Sequence, residues 1–366
     1  MHPERFRPLL TAKGPFASIY FDDSHDARNS TSQLEVTCRH VRRELERHRA
    51  QPVLTSIVEN AVLQTHPPVG QSGRMLIATT DGVIIDEHVR RPESAIVRLS
   101  ELPYFLPLVR HGLDVPTYLV VAVDHVGADI TVHRGHAVST ETVEAGGYPV
   151  HKAERVDKRH YGGAQQRVDE MIRKNIRAVA DRVTEVFDDR KAEEVFVVGE
   201  ADSRAHVLSA LAARIASRST ELLGTRSDGC HSEEIRRAIT AEFERRRLRR
   251  ADTAVQRIRA GDARKSRLGV EGLAAACAAL RDGAVETLLI GDLKDRTVVA
   301  DDCASSIAPN PDVCSELGTA ATRTLPADEA LPLAAVRIDA SIVCDEQDSD
   351  LTDDVGALLR YMDSNT

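Results

Sequence analysis

No stretch of this 366-residue chain comes near the roughly 20 consecutive apolar residues that a membrane-crossing helix needs. The opening residues, Met-His-Pro-Glu-Arg-Phe-Arg-Pro, contain no apolar core of a secretion signal, so a cytoplasmic protein is expected. The phosphate-cradling pattern Gly-x-x-x-x-Gly-Lys-Ser/Thr and the dinucleotide-binding glycine pattern are both missing. So are the Gly-x-Ser-x-Gly elbow of serine hydrolases and the His-Glu-x-x-His of metalloproteases. Cys38, Cys230, Cys277, Cys303, Cys314 and Cys344 include no Cys-x-x-Cys pair, and Cys230-His231 has no partner at ligand spacing. Reduced, mostly buried thiols are expected, with no metal and no cofactor. Internal repeats and low-complexity segments are lacking too.

What the chain does have is enough length for two or three domains and an uneven spread of charge. Net charge is −9, which taken alone argues against a nucleic-acid partner. Yet residues 151–180 sum to +4 and residues 241–270 to +6, while residues 271–366 sum to −13. Such asymmetry fits a protein that meets phosphates with one part and another partner with a second. The solvated faces of long helices would account for residues 241–270 equally well.

In chain order, a strand over 14–21 precedes a polar loop, Asp22 to Ser32. Thr31 or Ser32 then caps a helix running to about Arg49, with Leu34, Cys38, Val41 and Leu45 on one face. A second helix follows near 52–64. Residues 75–79 and 83–89 flank Thr80-Asp81-Gly82, a tight hairpin signal. The segment from Pro116 reads as a buried strand, paired with 128–134. A helix is expected from about Gln165 to Asp188, a buried strand from Glu194, and a helix over 203–217. Residues 232–262 read as a long, arginine-rich helix. Beyond it lie an expected helix at 270–279, a central strand after Gly283, a strand at 297–299, a strand region at 334–344 and a short helix at 354–361. The class is α/β, in three consecutive units.

The stretch Lys158-Arg159-His160-Tyr161-Gly162-Gly163-Ala164-Gln165-Gln166-Arg167 is the chief candidate site. It reads as a basic loop entering a helix, with Arg173 and Lys174 one to two turns on. Two glycines free the backbone, and the surrounding cations suit a tip that touches a polyanion. An ordinary solvated loop would look the same. The acid pairs Asp22-Asp23, Asp188-Asp189 and Asp301-Asp302, and the histidines His133, His136, His151 and His160, are weaker candidates for chemistry.

Two stretches carry a resemblance. Gly283-Ala-Val-Glu-Thr-Leu-Leu-Ile, after the 268–280 segment, resembles the start of the C-terminal domain of archaeal and eukaryotic class-I release factors and of pelota. Arg159-His-Tyr-Gly-Gly-Ala-Gln-Gln-Arg resembles their middle domain, where a Gly-Gly-Gln loop precedes a helix. The resemblance covers roughly Pro116 to Cys344, and its closest form is the bacterial branch of Balon-type ribosome hibernation factors. It implies three α/β domains: 1–113 at the decoding centre, 114–245 at the peptidyl transferase centre, and 246–366 of the L7Ae type. It also implies a factor that fills the vacant ribosomal A site in stress or dormancy. Contacts would be to 16S and 23S ribosomal RNA, with elongation factor Tu as a partner of the C-terminal domain. The residues from Lys158 to Arg167 would meet ribosomal RNA at the peptidyl transferase centre, and His25, Arg28, Asn29, Arg173 and Lys174 would make further contacts. Where the release factors carry their catalytic glutamine, this chain has Ala164, and Gln165 is displaced by one position. One residue turns a helical side chain by about 100°. A non-catalytic blocker is therefore expected. The alternatives are a peptidyl-tRNA-hydrolysing release or rescue factor, with Gln165 or Gln166 in the glutamine's role, and an RNA-processing enzyme.

Overall fold

The computed structural model describes residues 3–24, 30–64, 72–112, 116–134, 137–144, 161–226, 232–263, 268–293, 295–301, 306–316, 323–345 and 351–360. The chain divides into two compact units, residues 1–114 with 247–366, and residues 115–246. It is α/β throughout.

A 3-10 turn, Pro3–Phe6, leads into α1 (Arg7–Thr11) and then β1 (Phe16–Asp22). Helices α2 (Ser30–Arg47) and α3 (Pro52–Gln64) follow, then β2 (Gly73–Thr79), β3 (Gly82–Val89), β4 (Ile96–Ser100) and α4 (Leu106–His111). The helix α2 starts at Ser30, so Thr31 and Ser32 lie within it and not at its cap. The strands form one sheet in the order β3-β2-β1-β4, all antiparallel neighbours. The hairpin expected at Thr80-Asp81-Gly82 joins β2 to β3. Alternation along the strands gives the sheet two apolar faces. Ala17, Ile19, Phe21, Leu76 and Ala78 meet Cys38, Val41 and Leu45 of α2 and Leu54, Val58 and Val62 of α3. Phe16, Tyr20, Met75, Ile77, Ile85 and Val89 point the other way.

The second unit holds β5 (Tyr118–Val123), β6 (Gly127–Arg134), β7 (Ala137–Glu144), α5 (Tyr161–Asp189), β8 (Glu194–Gly199), α6 (Ala201–Ala210), α7 (Ala213–Ala216), β9 (Ser219–Leu222) and the start of α8 (Glu233–Ala263). Sheet order is β7-β6-β5-β8-β9, with β5, β8 and β9 parallel. The single helix expected at 203–217 is two, because Leu211 and Ala212 take extended backbone and Leu211 turns into the core. Helices α5, α6 and α7 cover one face, where Val179, Val183, Val207 and Ile215 pack on Leu119, Val121, Ile130, Val195 and Val197. Ile235 and Ile239 of α8 cover the other, over Val120, Ala122, Phe196 and Val198. The parallel strands β5 and β8 end side by side. Gly199 has φ +148°, and a Cβ there would sit 2.1 Å from the Val123 carbonyl oxygen, so only glycine allows that approach.

The last segment contains β10 (Gly269–Glu271), α9 (Leu273–Arg281), β11 (Val285–Ile290), β12 (Thr297–Ala300), β13 (Ile307–Ala308), α10 (Pro311–Glu316), β14 (Arg323–Pro326), α11 (Ala327–Arg337), β15 (Ser341–Cys344) and β16 (Val355–Leu359). Three expectations are corrected here. Val270 lies in a strand, and the helix begins only after Gly272, whose φ of +90° ends β10. Residues 334–337 belong to α11, with the strand confined to 341–344. Residues 355–359 form a strand, not a helix, since they fill the gap between β10 and β11 in the sheet β10-β16-β11-β15. A small sheet, β13-β12-β14, flanks it. The two segments of this unit share one core: Phe6, Phe105, Met75 and Ile77 lie in the same buried cluster as Ala330, Leu331, Leu288 and Ile342. Arg7 bonds Asp339 at 2.9 Å and Arg110 donates to the Gly291 carbonyl at 2.6 Å across the same seam.

Candidate nucleic-acid interface

The apolar stripe that seats α5 begins late in the helix. Ile172 is half-buried and Ile176 buried, followed by Val179, Ala180, Val183 and Phe187. Asn175 donates from Nδ2 to the His125 carbonyl at 3.1 Å, pinning the helix to the turn between β5 and β6. Tyr161 lies fourteen residues before Asn175. At 1.5 Å per residue the helix therefore runs about 21 Å beyond that pin.

Charge along α5 is polarised. The part up to Arg177 carries Arg167, Arg173, Lys174 and Arg177 against Asp169 and Glu170, whereas Asp181, Glu185, Asp188 and Asp189 outnumber Arg182 in the remainder. A helix macrodipole favours the opposite arrangement, acids first and bases last. The C-terminal half spends its charges internally. Arg182 grips Glu141 at 2.7 and 2.8 Å and Glu185 at 2.8 Å, and its bonds hold the Glu141 carboxyl below the ordinary carboxylate range. Asp188 takes both arms of Arg214. Arg173, Lys174 and Arg177 are exposed and make no ion pair among the described residues. Among the described residues, three cations at i, i+1 and i+4 thus lack an ion-pair partner where the macrodipole opposes them.

The acids at the base of this helix are held by hydrogen bonds and by one shared cation, which offsets part of their charge. Asp124 accepts the Val126 and Gly127 amides at 2.7 and 2.9 Å, and Arg226 reaches Asp124 at 3.1 Å and Asp129 at 3.0 Å. The Arg226 bond also keeps the Asp129 carboxyl below its usual range.

The sequence candidates fall as follows. Lys158, Arg159 and His160, and likewise His25, Arg28 and Asn29, lie outside the described residues. Tyr161, Gly162, Gly163, Ala164, Gln165, Gln166 and Arg167 form the first two turns of α5. The helix thus begins four residues before the expected start at Gln165, and the glycine pair sits in its first turn. The opening amides of a helix have no intrahelical acceptor, and glycine leaves them unshielded, which suits contact with an anion. Arg173 and Lys174 are where the periodicity put them. Arg177 joins them, legible in the sequence because it follows Arg173 by one turn, whereas the Asn175 pin has no sequence signal.

The weaker candidates serve structure. Asp22 pairs with Arg91 at 2.8 Å, Asp188 with Arg214, and Asp301 accepts the Ser306 amide at 3.2 Å. His133 stacks on Tyr118 with ring centroids 4.5 Å apart. His136, His151 and Asp302 lie outside the described residues. Among the described residues no group of three His, Cys, Asp or Glu could hold a metal ion. Cys38, Cys277 and Cys344 are buried thiols outside any disulfide, and burial pushes the Cys344 thiol up to about 11.

Residues 117–264, the stretch that includes α5, match the family model for bacterial archaeo-eukaryotic release factor family 2. Two uncharacterized proteins of Mycobacterium tuberculosis, from strains CDC 1551 / Oshkosh and ATCC 25618 / H37Rv, are each 43% identical over 367 residues, covering 100% of this chain and 98% of theirs. Over residues 117–264 the chain is a member of this release-factor family. Solved structures similar to this member include a ribosome-bound archaeal Pelota with ABCE1, 13% identical, covering 98% of this chain and 94% of that one with a TM-score of 0.41. Another is Pelota of Archaeoglobus fulgidus, 15% identical over 80% and 84% of the two chains, at 0.37. The archaeal translation termination factor is 14% identical over 98% and 97%, at 0.25.

Proposed function

We propose that this release-factor family member is a ribosome hibernation factor, which fills the vacant A site and blocks decoding and peptidyl transfer without chemistry. The observation that carries the reading is the α5 tip: a helix end reaching about 21 Å past its pin, opened by two glycines and followed by three exposed cations that make no ion pair among the described residues. Ribosomal RNA phosphates are the natural counter-charge, and the guanidinium fork fits phosphate oxygens in pairs. The residues from Lys158 to Arg167 would meet the peptidyl transferase centre, and His25, Arg28 and Asn29 the decoding centre. The acidic C-terminal segment suits a protein surface, and elongation factor Tu is the partner we assign to it. Such a factor works in the cytoplasm.

Arg173→Glu with Lys174→Glu is expected to weaken binding to vacant 70S ribosomes by about tenfold or more and to flatten its salt dependence by about two ions released. Co-sedimentation at several salt concentrations measures both. Unchanged binding would refute the role given to the tip.

The second reading, peptidyl-tRNA hydrolysis, has Gln165 in its favour, a glutamine in the first turn beside the glycine pair. It separates cleanly from the first. Ribosomes carrying peptidyl-tRNA should bind the protein stoichiometrically and keep their peptide, and Gln165→Ala should leave binding within about twofold. Multiple turnover of peptide release, abolished by that substitution, would replace blocking with hydrolysis.

A further inference from the structure

The outward face of α2 is a second concentration of unspent positive charge, in the unit that does not contain α5. Its inward face is apolar, with Cys38, Val41 and Leu45 on the sheet. From Ser30 to Arg49 the segment has five arginines, no lysine and three glutamates. Two arginines are engaged: Arg42 is paired with Glu59, and Arg47 with Glu44 at 2.6 Å. Arg39, His40, Arg43, His48 and Arg49 are exposed, and none makes an ion pair among the described residues. Arg39 reaches only the Glu35 carbonyl, at 3.3 Å.

Arg39, Arg43 and Arg47 recur every four residues, so one guanidinium stands on each successive turn of the same face. Like charges at that spacing repel and weaken a helix. The cations of the last turn are explained by the macrodipole, which favours positive charge at a C-terminus. Arg39, His40 and Arg43, in the middle, are not. Arg49 is a further departure. It closes the helix with φ +61°, a conformation that glycine or asparagine adopts at lower cost. A cation has been kept where the backbone prefers another residue.

We propose that this face of α2 binds the phosphate backbone of double-stranded, A-form RNA. The proposal rests on the ribosomal reading only in taking RNA as the polyanion. An acidic protein surface would also attract arginines, but a protein interface needs apolar or aromatic anchors at its centre. The stripe has none beyond Val36 at one end, 57% exposed. A ridge of guanidinium groups without such an anchor suits backbone contact, in which duplex RNA is recognised by shape and by its phosphates.

The test uses the full chain and a fluorescently labelled RNA duplex of about 16 base pairs, the span a duplex-RNA module covers. Anisotropy titrations run from low to physiological salt. Arg39→Glu with Arg43→Glu should weaken binding at least tenfold and lower the salt slope by about two. Thermal unfolding should stay where it is, since the inward face is untouched. If the reversed variant does not fold, Arg39→Gln with Arg43→Gln removes the charge and keeps good helix formers, and a smaller loss in the same direction is expected. No duplex binding by the unaltered protein, or equal affinity and slope in a folded variant, overturns the proposal. So does binding to poly-glutamate, lost in the variant, without binding to RNA. Arg173→Glu with Lys174→Glu is measured against the same duplex and against 70S ribosomes. Duplex binding that depends on α2 while A-site occupancy fails would leave this proposal standing and remove the hibernation reading.

Discussion

Replacing Asp86 by alanine is expected to cost the protein about 3 kcal/mol of stability. Arg74 on β2 is 0% exposed, the largest side chain so deeply buried among the described residues. Its Nε and Nη2 each donate to Asp86 at 2.7 Å, and Nη2 also donates to the Ala61 carbonyl of α3 at 2.9 Å. The pair thereby ties the second helix of the layer to the sheet beneath it. Removing the carboxylate leaves a guanidinium in an apolar layer with its main counter-charge gone, the situation for which losses of about 3–5 kcal/mol are typical. Asp86 is itself 39% exposed, so water reaches the pair and the low end of that range applies. Replacing both, Arg74→Met with Asp86→Leu, removes the stranded charge and should recover most of the loss. Urea unfolding midpoints measure all three variants. A cost below about 1 kcal/mol for Asp86→Ala would show that the ion pair is not what holds α3 down.

Stability is also expected to fall as pH rises from about 5 to 8, by about 3 kcal/mol, through Glu329. At the seam between β4 and α11 two carboxylates compete for one guanidinium. Arg98 Nη1 lies 2.8 Å from Asp328 and 3.5 Å from Glu329, with its plane 3.6 Å over the Tyr104 ring. Asp328 has the better contact, and Glu329, 2% exposed, is left in the drier position. Burial first, then the neighbouring Asp328 charge, pushes the Glu329 carboxyl up to about 7, against the pull of Ser100 and Arg98. A carboxyl whose folded value lies above its unfolded one contributes stability in the protonated form. That contribution is whole below the unfolded value of 4.5 and is lost as pH rises through about 7. Glu329→Gln should flatten the profile and exceed the parent in stability at pH 8. Parallel pH profiles for the two proteins, in urea midpoints at pH 5 and pH 8, would sink the assignment.

Much of the architecture was legible because its strands are of two plain kinds. The segments at 118–123 and 195–198 are continuous apolar runs, as strands buried on both faces must be, and 288–290 ends in a shorter one. The first hairpin is announced by Asp81-Gly82. The strand β7 was not legible: Ala-Val-Ser-Thr-Glu-Thr-Val-Glu lies at a sheet edge and is largely exposed, so no apolar pattern marks it. Residues 355–359 misled for the opposite reason. Val-Gly-Ala-Leu-Leu suits helix or strand by propensity, and only its two sheet neighbours decide.

The site was read in part. Its cations are plain in the sequence, and so is the glycine pair. The helix start was misplaced because glycine reads as a breaker, whereas at the first turn it has little regular structure to break. The clamp of Arg226 on Asp124 and Asp129 joins residues about a hundred positions apart, and no local pattern reveals it. In α2 the apolar stripe of Leu34, Cys38, Val41 and Leu45 is plain in the sequence, whereas only the fold shows which of its arginines lack a partner among the described residues.

The shared core of residues 1–114 and 247–366 has a consequence for the nascent chain. As synthesis proceeds, the first sheet can acquire α2 and α3 on one side at once, but the cluster on its other side, where Phe16, Tyr20, Met75 and Ile77 join Phe6 and Phe105, is completed only when the residues of α9, β11, α11 and β15 arrive. The middle unit, contiguous in sequence, is able to close in the interval. A half-covered sheet held open through the birth of an entire second unit is the kind of surface that chaperones recognise and that aggregates when they are scarce. Recombinant yield of this protein should therefore depend on how quickly its last hundred residues are made.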